Sequence, residues 1–267
     1  MEEKVSIILP TFNAEDFVGS AISSVLKQTH TDWELIIIND GSTDATEMEI
    51  GHFCDHRIIY IYQQNQGVSA ARNAGIEIMS GDYFCFLDAD DTLPPDSLKD
   101  RIEVFRNFPD TSFVDGGVAV FDKDMSNILK TWYPTYQGPP FEELLQISER
   151  CFFGPTWMIK RKPLIKYSFN TGLTHGEDYY FYLSIAKSGV YRNTQKIIYY
   201  YRKTKGSAMS NLDALEKGYF IILRNLQQGF KIDQLQTDTF RKKIRSIMFK
   251  SWLAKGNPYR AAKVWFK

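Results

Sequence analysis

The sequence has few cysteines, no long apolar run and no signal peptide. Its three cysteines are widely spaced and odd in number, which argues against a disulfide framework or a zinc site and indicates a reducing compartment. No apolar stretch approaches the roughly 20 residues that span a bilayer. The start, MEEKVSIILP, is acidic and lacks a signal-peptide pattern. We therefore expect a folded, soluble, cytoplasmic protein whose membrane contact, if any, is peripheral, at the inner face of the plasma membrane.

An excess of one charge is also missing from the chain as a whole. Lys plus Arg and Asp plus Glu each number 32, so we expect no nucleic-acid partner. Residues 241–267 differ, since they contain nine basic residues and no acidic residue, interleaved with Phe249, Trp252, Trp265 and Phe266. Two interpretations stay open: a peripheral contact with an anionic membrane through 241–267, or a solvated helix face on which Lys and Arg stems cover apolar neighbours.

The distribution of apolar residues predicts an α/β fold. Short β-branched runs at 4–9, 33–38, 57–62 and 82–87 are typical of strands buried on both faces. Apolar residues between them repeat at helical spacing, which favours right-handed parallel crossovers. We expect Asn13 to cap the first helix. The result is a Rossmann-like, mostly parallel central sheet flanked by helices.

The second half has weaker patterns. Residues 112–122 predict a strand with a glycine kink or bulge, and the proline-rich stretch 131–140 predicts a long loop. Short helices and strands are expected over 141–210, where the same sheet continues, and helices from 213 to about 254.

Polar clusters follow three of the four predicted strands: PTFNAE at 10–15, NDGSTD at 39–44 and DADD at 88–91. Open parallel sheets bind ligands outside the carboxyl ends of their strands, where these clusters would meet. Two carboxylates about 4 Å apart repel by roughly 4 kcal/mol at an effective dielectric near 20. The acidic cluster therefore predicts a bound cation or full solvation.

The motifs that are present and absent limit the kinds of ligand that this site could bind. The first strand is not followed by Gly-x-Gly-x-x-Gly, and the chain has no Walker A motif, so the common phosphate cradles are excluded. An acidic pair at a strand end instead suits Mn²⁺ or Mg²⁺, held by one or two carboxylates and completed by substrate phosphates.

Four segments in this order carry a family resemblance: 5–44, GVSAARNAG at 67–75, FLDADD at 86–91 and GEDYYF at 176–181. They resemble the family 2 glycosyltransferases of GT-A fold. The resemblance covers about 1–210 and implies a nucleotide-binding half at 1–110 and an acceptor half at 111–210. Residues 211–267 would form a helical, basic C-terminal extension.

The resemblance implies a nucleotide-sugar site, position by position. The base and ribose would contact Pro10, Thr11, Phe12, Asn13 and Glu15. The base, most often uracil, would bond to Asp40, in a loop that Ser42 and Asp44 support. The phosphates would lie near Arg72. The motif Asp88, Ala89 and Asp90 would meet the ribose and the metal, with Asp90 as direct ligand and Asp88 close to it. Asp91 would lie behind them or cap the next helix.

The resemblance also implies a catalytic base, Asp178, with Glu177 as second choice. An Asp with a reference pKa near 3.9 is a weak base, so burial or the charge of Glu177 is expected to raise its pKa. The implied reaction is an inverting displacement: the base takes a hydroxyl proton from a glycan or lipid-linked acceptor, and the metal stabilises the departing diphosphate. Its place would be in surface polysaccharide or cell-envelope glycan synthesis.

One position of the sequence departs from the family pattern. Thr204 stands where many relatives carry His, with Lys203 and Lys205 beside it, so the resemblance assigns no firm role to Arg202 and Ser207.

Two other functions stay open. A catalytically silent nucleotide-sugar-binding scaffold of the same fold is one alternative. The DADDT run also fits an aspartyl-phosphate phosphatase, although that motif normally follows the first strand of its domain. Solvation and helix capping could also explain the acidic cluster.

Overall fold

The computed structural model describes residues 3–204, 211–230 and 232–266. Within these ranges one mixed sheet of eight strands forms the centre of the molecule. In chain order its strands are β1 (Val5–Thr11), β2 (Trp33–Asp40), β3 (Ile58–Gln63), β4 (Tyr83–Phe86), β5 (Thr111–Phe121), β6 (Ile128–Trp132), β7 (Met158–Lys160) and β8 (Val190–Arg202). The described helices are α1 (Val18–Leu26), α2 (Thr46–Gly51), α3 (Val68–Ile78), α4 (Ser97–Asn107), α5 (Phe141–Leu145), α6 (Glu177–Ile185), α7 (Leu212–Gly229), α8 (Gln234–Ala254) and α9 (Pro258–Val264).

Two kinds of strand pairing divide the sheet. Strands β3, β2, β1 and β4 are neighbours in that order and all parallel, as expected when helices connect successive strands. Strand β7 then runs antiparallel between β4 and β5, and β8 pairs in parallel with β5. The predicted α/β sheet that continues into the second half is confirmed.

The predicted strands of the first half are confirmed as β1 to β4. Strand β5 also has its expected irregularity, because its pairing with β8 shifts between Asp115, Gly117 and Val118. Two details were wrong. The stretch 131–140 is not entirely loop, since Thr131 and Trp132 end β6. Asn13 does not cap α1, which begins at Val18 after Phe17; with φ of 47° it lies in a bend between β1 and that helix.

The three C-terminal helices pack on one another through polar as well as apolar contacts. The indole Nε1 of Trp252 on α8 donates a hydrogen bond of 2.8 Å to Glu216 on α7. Arg260 on α9 pairs with Asp213 on α7 and lies over the Trp252 ring. None of the described helices combines the length and apolar character that crossing a bilayer requires.

A buried carboxylate links the amino ends of β1 and β2. Glu34 is 4% exposed, and its two oxygens accept from the Ser6 hydroxyl, the Ser80 amide and hydroxyl, and the Lys4 ammonium at 2.6–2.7 Å. Burial opposes its ionisation, but these donors outweigh burial and lower the pKa of Glu34 to about 2. The charge therefore stabilises the folded state near neutral pH.

We predict that Glu34→Gln lowers the free energy of unfolding by about 2–3 kcal/mol at pH 7. Because the folded-state pKa is depressed, this contribution is complete above the unfolded pKa and is lost as pH falls from about 4.5 toward about 2. Urea unfolding at several pH values measures it. Glu103→Gln, at an exposed position of α4, is the control, with a change within about 0.5 kcal/mol. Equal costs for the two variants at pH 7 would contradict the prediction.

Candidate active site

The loops after β1 and β2 hold each other by side-chain hydrogen bonds. The Asn13 amide donates to the Ser42 hydroxyl at 3.0 Å, and the Thr43 amide donates to Asn13 Oδ1 at 2.8 Å. The Ala45 amide donates to Glu15 Oε2, and the Glu15 amide donates to Asp44 Oδ2. These four predicted site residues, Asn13, Glu15, Ser42 and Asp44, thus fasten one loop to the other.

Asp40 lies at the carboxyl end of β2, beside a cavity of about 320 Å³. Its carboxylate accepts from Gln63 Nε2 at 2.6 Å, from the Gln66 amide at 2.9 Å and from the Gly67 amide at 2.7 Å. These bonds fix the turn that leads into α3. The other predicted residues at this cavity are Pro10, Thr11 and Phe12, of which Phe12 is 49% exposed. We call this space the β1 cavity.

Arg72 lies on α3 and is 3% exposed. Its two terminal nitrogens donate to Asp88 Oδ1 at 2.8 Å and to Glu177 Oε1 at 3.3 Å. Burial opposes the charge of the guanidinium, but Asp88, Glu177 and Asp178 outweigh burial and raise the pKa of Arg72. The face of Phe169 lies 5.1 Å from the guanidinium carbon. One buried cation thus links the motif after β4 to the start of α6.

The acidic cluster after β4 is held from the side of β8. The backbone amide of Arg202 donates to Asp91 Oδ1, and the Arg202 guanidinium donates to the Asp90 carbonyl. Burial, followed by the charge of Asp88, raises the pKa of Asp90 to about 6. Asp91 is buried behind the pair, with a raised pKa. It does not cap α4, which begins at Ser97, so that alternative was wrong. Ala89 packs against the core.

Glu177 and Asp178 form the first turn of α6, after Gly176 with φ of 74°. Burial is the main cause that raises the pKa of Asp178, to about 7. The charge of Glu177 adds to it and Arg72 opposes it. A carboxyl that titrates near neutral pH can accept a proton from a hydroxyl far better than an ordinary Asp. The geometry thus supplies the condition expected from the sequence for a base.

A single cavity of about 510 Å³ brings these groups together. Arg72, Asp88, Asp90, Glu177 and Asp178 all line it, although they come from three distant parts of the chain. We call it the reaction cavity. Val68, at the start of α3, lines both this space and the β1 cavity, so the two adjoin.

Sequence reasoning missed several residues of the reaction cavity. Apolar and aromatic side chains form much of its wall, from the segment 147–156, from β8 and from α7: Ile147, Phe152, Phe153, Tyr199, Tyr201, Leu215 and Tyr219. They belong to no recognised motif, and apolar and aromatic side chains of these kinds are as typical of a protein core as of a ligand site. Thr204 and His175 also line it. Lys205 and Ser207 lie outside the described residues.

A larger cavity of about 820 Å³ lies between the end of α3 and the segment 161–171. Two of its lining cations already bind the chain, because Arg161 donates to the Met79 and Ser80 carbonyls and Lys162 donates to the Ser188 carbonyl. It contains neither Asp88 and Asp90, which we call the acidic pair, nor Asp178. The reaction cavity is therefore the better candidate for chemistry.

The side-chain oxygens at the reaction cavity are suited to binding a hard divalent metal ion. Asp88 and Asp90 supply oxygen ligands, and the pKa of Asp90 is raised by burial first and by the charge of Asp88 second. Within the described ranges no group of three or more His, Cys, Asp and Glu side chains is placed to hold a metal. Two carboxylates completed by substrate phosphates is the arrangement usual for Mg²⁺-type sites.

Comparison with known proteins agrees with this geometry. The model of the family described as Glycosyl transferase family 2 matches residues 6–168, more than half of the chain. The chain is 32% identical over 210 residues to the Escherichia coli UDP-Glc:alpha-D-GlcNAc-diphosphoundecaprenol beta-1,3-glucosyltransferase WfgD, covering 78% of this chain and 80% of that protein. For five other relatives the match covers only 13–28% of their length.

Solved structures share the fold at low sequence identity. S. aureus TarS 1-349 in complex with UDP-GlcNAc has a TM-score of 0.67 and 17% identity, covering 93% of this chain and 72% of that one. The mannosyltransferase PcManGT from Pyrobaculum calidifontis, in complex with GDP-Man and Mn²⁺, has a TM-score of 0.61 and 16% identity, covering 99% and 79%.

Proposed function

The chain belongs to glycosyl transferase family 2 and is a glycosyltransferase, and we propose that it moves a sugar, with inversion, from a UDP-sugar to a hydroxyl of a glycan or lipid-linked acceptor in envelope or surface polysaccharide synthesis. The observation that carries the proposal is the reaction cavity, which Asp178, with its raised pKa, lines together with Asp88 and Asp90. The UDP-bound neighbour and the lipid-linked acceptor in the name of WfgD support the choice of substrates.

The donor would extend across the two adjoining cavities. The β1 cavity offers the Phe12 ring and the Asp40 region to the base, and the diphosphate would lie toward Arg72 and the acidic pair. The sugar then points into the reaction cavity. Asn13, Glu15, Ser42 and Asp44 keep the loop pair in shape, so their contribution to the donor is mainly through the backbone they position.

The chain's own groups can perform the transfer. Asp178 takes the proton of the acceptor hydroxyl, whose oxygen forms a bond to the anomeric carbon from the side opposite the diphosphate. The bond from that carbon to the diphosphate oxygen breaks, and UDP leaves with the electron pair. Arg72 holds Glu177 and limits the negative charge around Asp178. Apolar walls reduce the access of water, which would compete with the acceptor.

We propose that Asp90, assisted by Asp88, holds Mn²⁺ or Mg²⁺. Such an ion supplies charge neutralisation for the leaving diphosphate. The Mn²⁺ in the mannosyltransferase neighbour supports the presence of a divalent metal in this fold.

We predict that Mn²⁺ raises the affinity for UDP at least about tenfold, or about 1.4 kcal/mol, because the ion joins the acidic pair to the phosphates. Isothermal titration calorimetry with and without Mn²⁺ measures this. Asp90→Asn should lose the metal-dependent gain, whereas Asp124→Asn, at an exposed position, should keep it. UDP binding that is equally strong in both conditions would count against a metal ion at the acidic pair.

We predict that Asp178→Asn lowers kcat/KM about 10²–10⁴-fold while UDP affinity stays unchanged. In the wild type, kcat/KM should fall as pH drops below about 7, because protonation removes the base. A UDP-sugar screen that monitors UDP release and transfer supplies the assay. If the wild type binds UDP with Mn²⁺ but turns over no donor, the silent scaffold is the better function. If Asp178→Asn retains full activity, Glu177 becomes the candidate base, tested by Glu177→Gln.

We also propose that 241–267 contacts an anionic membrane, next to a lipid-linked acceptor. The outward side of α9 is apolar and aromatic: Tyr259 is 74% exposed and Phe266, just beyond the helix, 90%. Lys250 on α8 and Lys263 on α9 are exposed as well, while Ala261 and Val264 face the protein core. Aromatic side chains beside lysines match the chemistry of an acidic bilayer interface.

We predict that the protein floats with phosphatidylcholine vesicles only when they contain phosphatidylglycerol. The pair Lys250→Glu and Lys263→Glu should lower binding more than about tenfold, since each lysine near such a surface contributes about 1 kcal/mol. Lys27→Glu with Lys196→Glu, exposed on other elements, makes the same change of net charge elsewhere and should bind as the wild type does. Equal loss in both double variants, or equal flotation with neutral vesicles, would refute this contact.

A further inference from the structure

One wall of the reaction cavity comes from a helix beyond the segment that matches the family. Leu215 and Tyr219 lie on α7, one helical turn apart, and both line the cavity that contains Asp178. They are 4% and 8% exposed. Both lie beyond the match to the family model, which ends at residue 168, and beyond the four segments that carry the family resemblance.

The helix is held close to the start of α6. A Cβ at Gly218, between the two side chains, would lie 2.4 Å from the carbonyl oxygen of His175, so only glycine lets α7 approach this loop. Across the same contact, a Cβ at Gly176 would lie 3.2 Å from Ile222 of α7. The backbone that precedes Glu177 and Asp178 is therefore in direct contact with α7.

The Tyr219 hydroxyl lies within electrostatic reach of the base. Burial is the main cause that raises the pKa of Tyr219, to about 12, and the charge of Asp178 adds to it. At neutral pH the hydroxyl is thus protonated and can donate a hydrogen bond. A ring and a hydroxyl beside a proton-accepting carboxyl are well suited to a pyranose, which presents C–H groups and hydroxyls together.

We propose that Leu215 and Tyr219 of α7 form the acceptor subsite, with Leu215 packing on the acceptor sugar and the Tyr219 hydroxyl orienting the hydroxyl that Asp178 deprotonates. This inference rests on the proposed function. The proposed donor contacts, at Arg72 and the acidic pair, come from α3 and the loop after β4 and not from α7. Changes in α7 should therefore affect the acceptor and leave donor binding intact.

The chain offers a matched control for this assignment. Leu223 lies on the same helix and is 5% exposed, against 4% for Leu215, but it does not line the reaction cavity. Leu215→Ala and Leu223→Ala delete the same atoms from equally buried positions, so their stability costs should be alike. Only the first removes a cavity contact. Tyr219→Phe removes one hydroxyl and keeps the ring.

The test uses the full chain, Mn²⁺ and the UDP-sugar selected by the screen above. The acceptors are GlcNAc-diphosphoundecaprenol in detergent and a panel of octyl pyranosides. We expect Leu215→Ala and Tyr219→Phe to raise the acceptor KM about tenfold or more, with donor KM, donor hydrolysis in water and UDP affinity within about twofold of the wild type. Leu223→Ala should keep the wild-type acceptor KM.

The outcomes separate this inference from the function on which it rests. If the wild type transfers sugar, and Leu215→Ala matches Leu223→Ala in acceptor KM while Tyr219→Phe matches the wild type, the α7 subsite is wrong and the function stands. If donor and acceptor KM rise together, α7 acts on the whole cavity and the acceptor assignment is overturned. If the wild type binds UDP but glycosylates none of these acceptors, the proposed acceptor class fails, and the subsite with it.

Discussion

The buried ion pairs of Arg72 are the contact on which the site depends. Taking a guanidinium out of water costs several kcal/mol, and only carboxylates in good geometry offset this cost. Asp88 and Glu177 supply them from two elements that are 89 positions apart in the chain. Each carboxylate in turn relies on Arg72, since an unpaired buried charge is strongly destabilising. The loop after β4 and the start of α6 are consequently held in one arrangement, which sets the distance between the proposed metal-binding carboxylates and the proposed base.

The balance of charge in the reaction cavity explains why a metal is chemically reasonable. Four carboxyl groups line it, at Asp88, Asp90, Glu177 and Asp178, and Arg72 is the permanent cation among the described lining residues. A diphosphate would add more negative charge to this space. Thr204, which also lines the cavity, is uncharged and brings no compensating charge. A divalent ion at Asp90, as proposed above, would let the same cavity accept a diphosphate and still keep an ionisable carboxyl at Asp178.

Much of the fold and part of the site could be predicted from the sequence, because their signals are local. Apolar runs and polar clusters placed β1 to β4 and the loops that bear Asp40, Asp88 and Asp90, and the structure brings Asp88 and Asp90 together with Asp178. The Asn13 cap was wrong because the Asn13 side chain bonds to the neighbouring loop at Thr43, a contact that helical spacing does not reveal. Leu215 and Tyr219 were missed because an apolar heptad-like face looks the same whether it lines a core or a cavity.

The division of the cavity between early and late parts of the chain bears on how specificity can vary. The Arg72 ion pairs hold the residues proposed for donor binding and for the base, so a change there is expected to disturb both of them and the stability at once. The inner face of α7 lines the cavity but takes no part in the Arg72 ion pairs. The α7 backbone packs closely against His175 at Gly218. Side chains on that face can therefore change shape and polarity while Asp178 stays in place. A fold with this arrangement can keep one reaction and alter the acceptor through one helix.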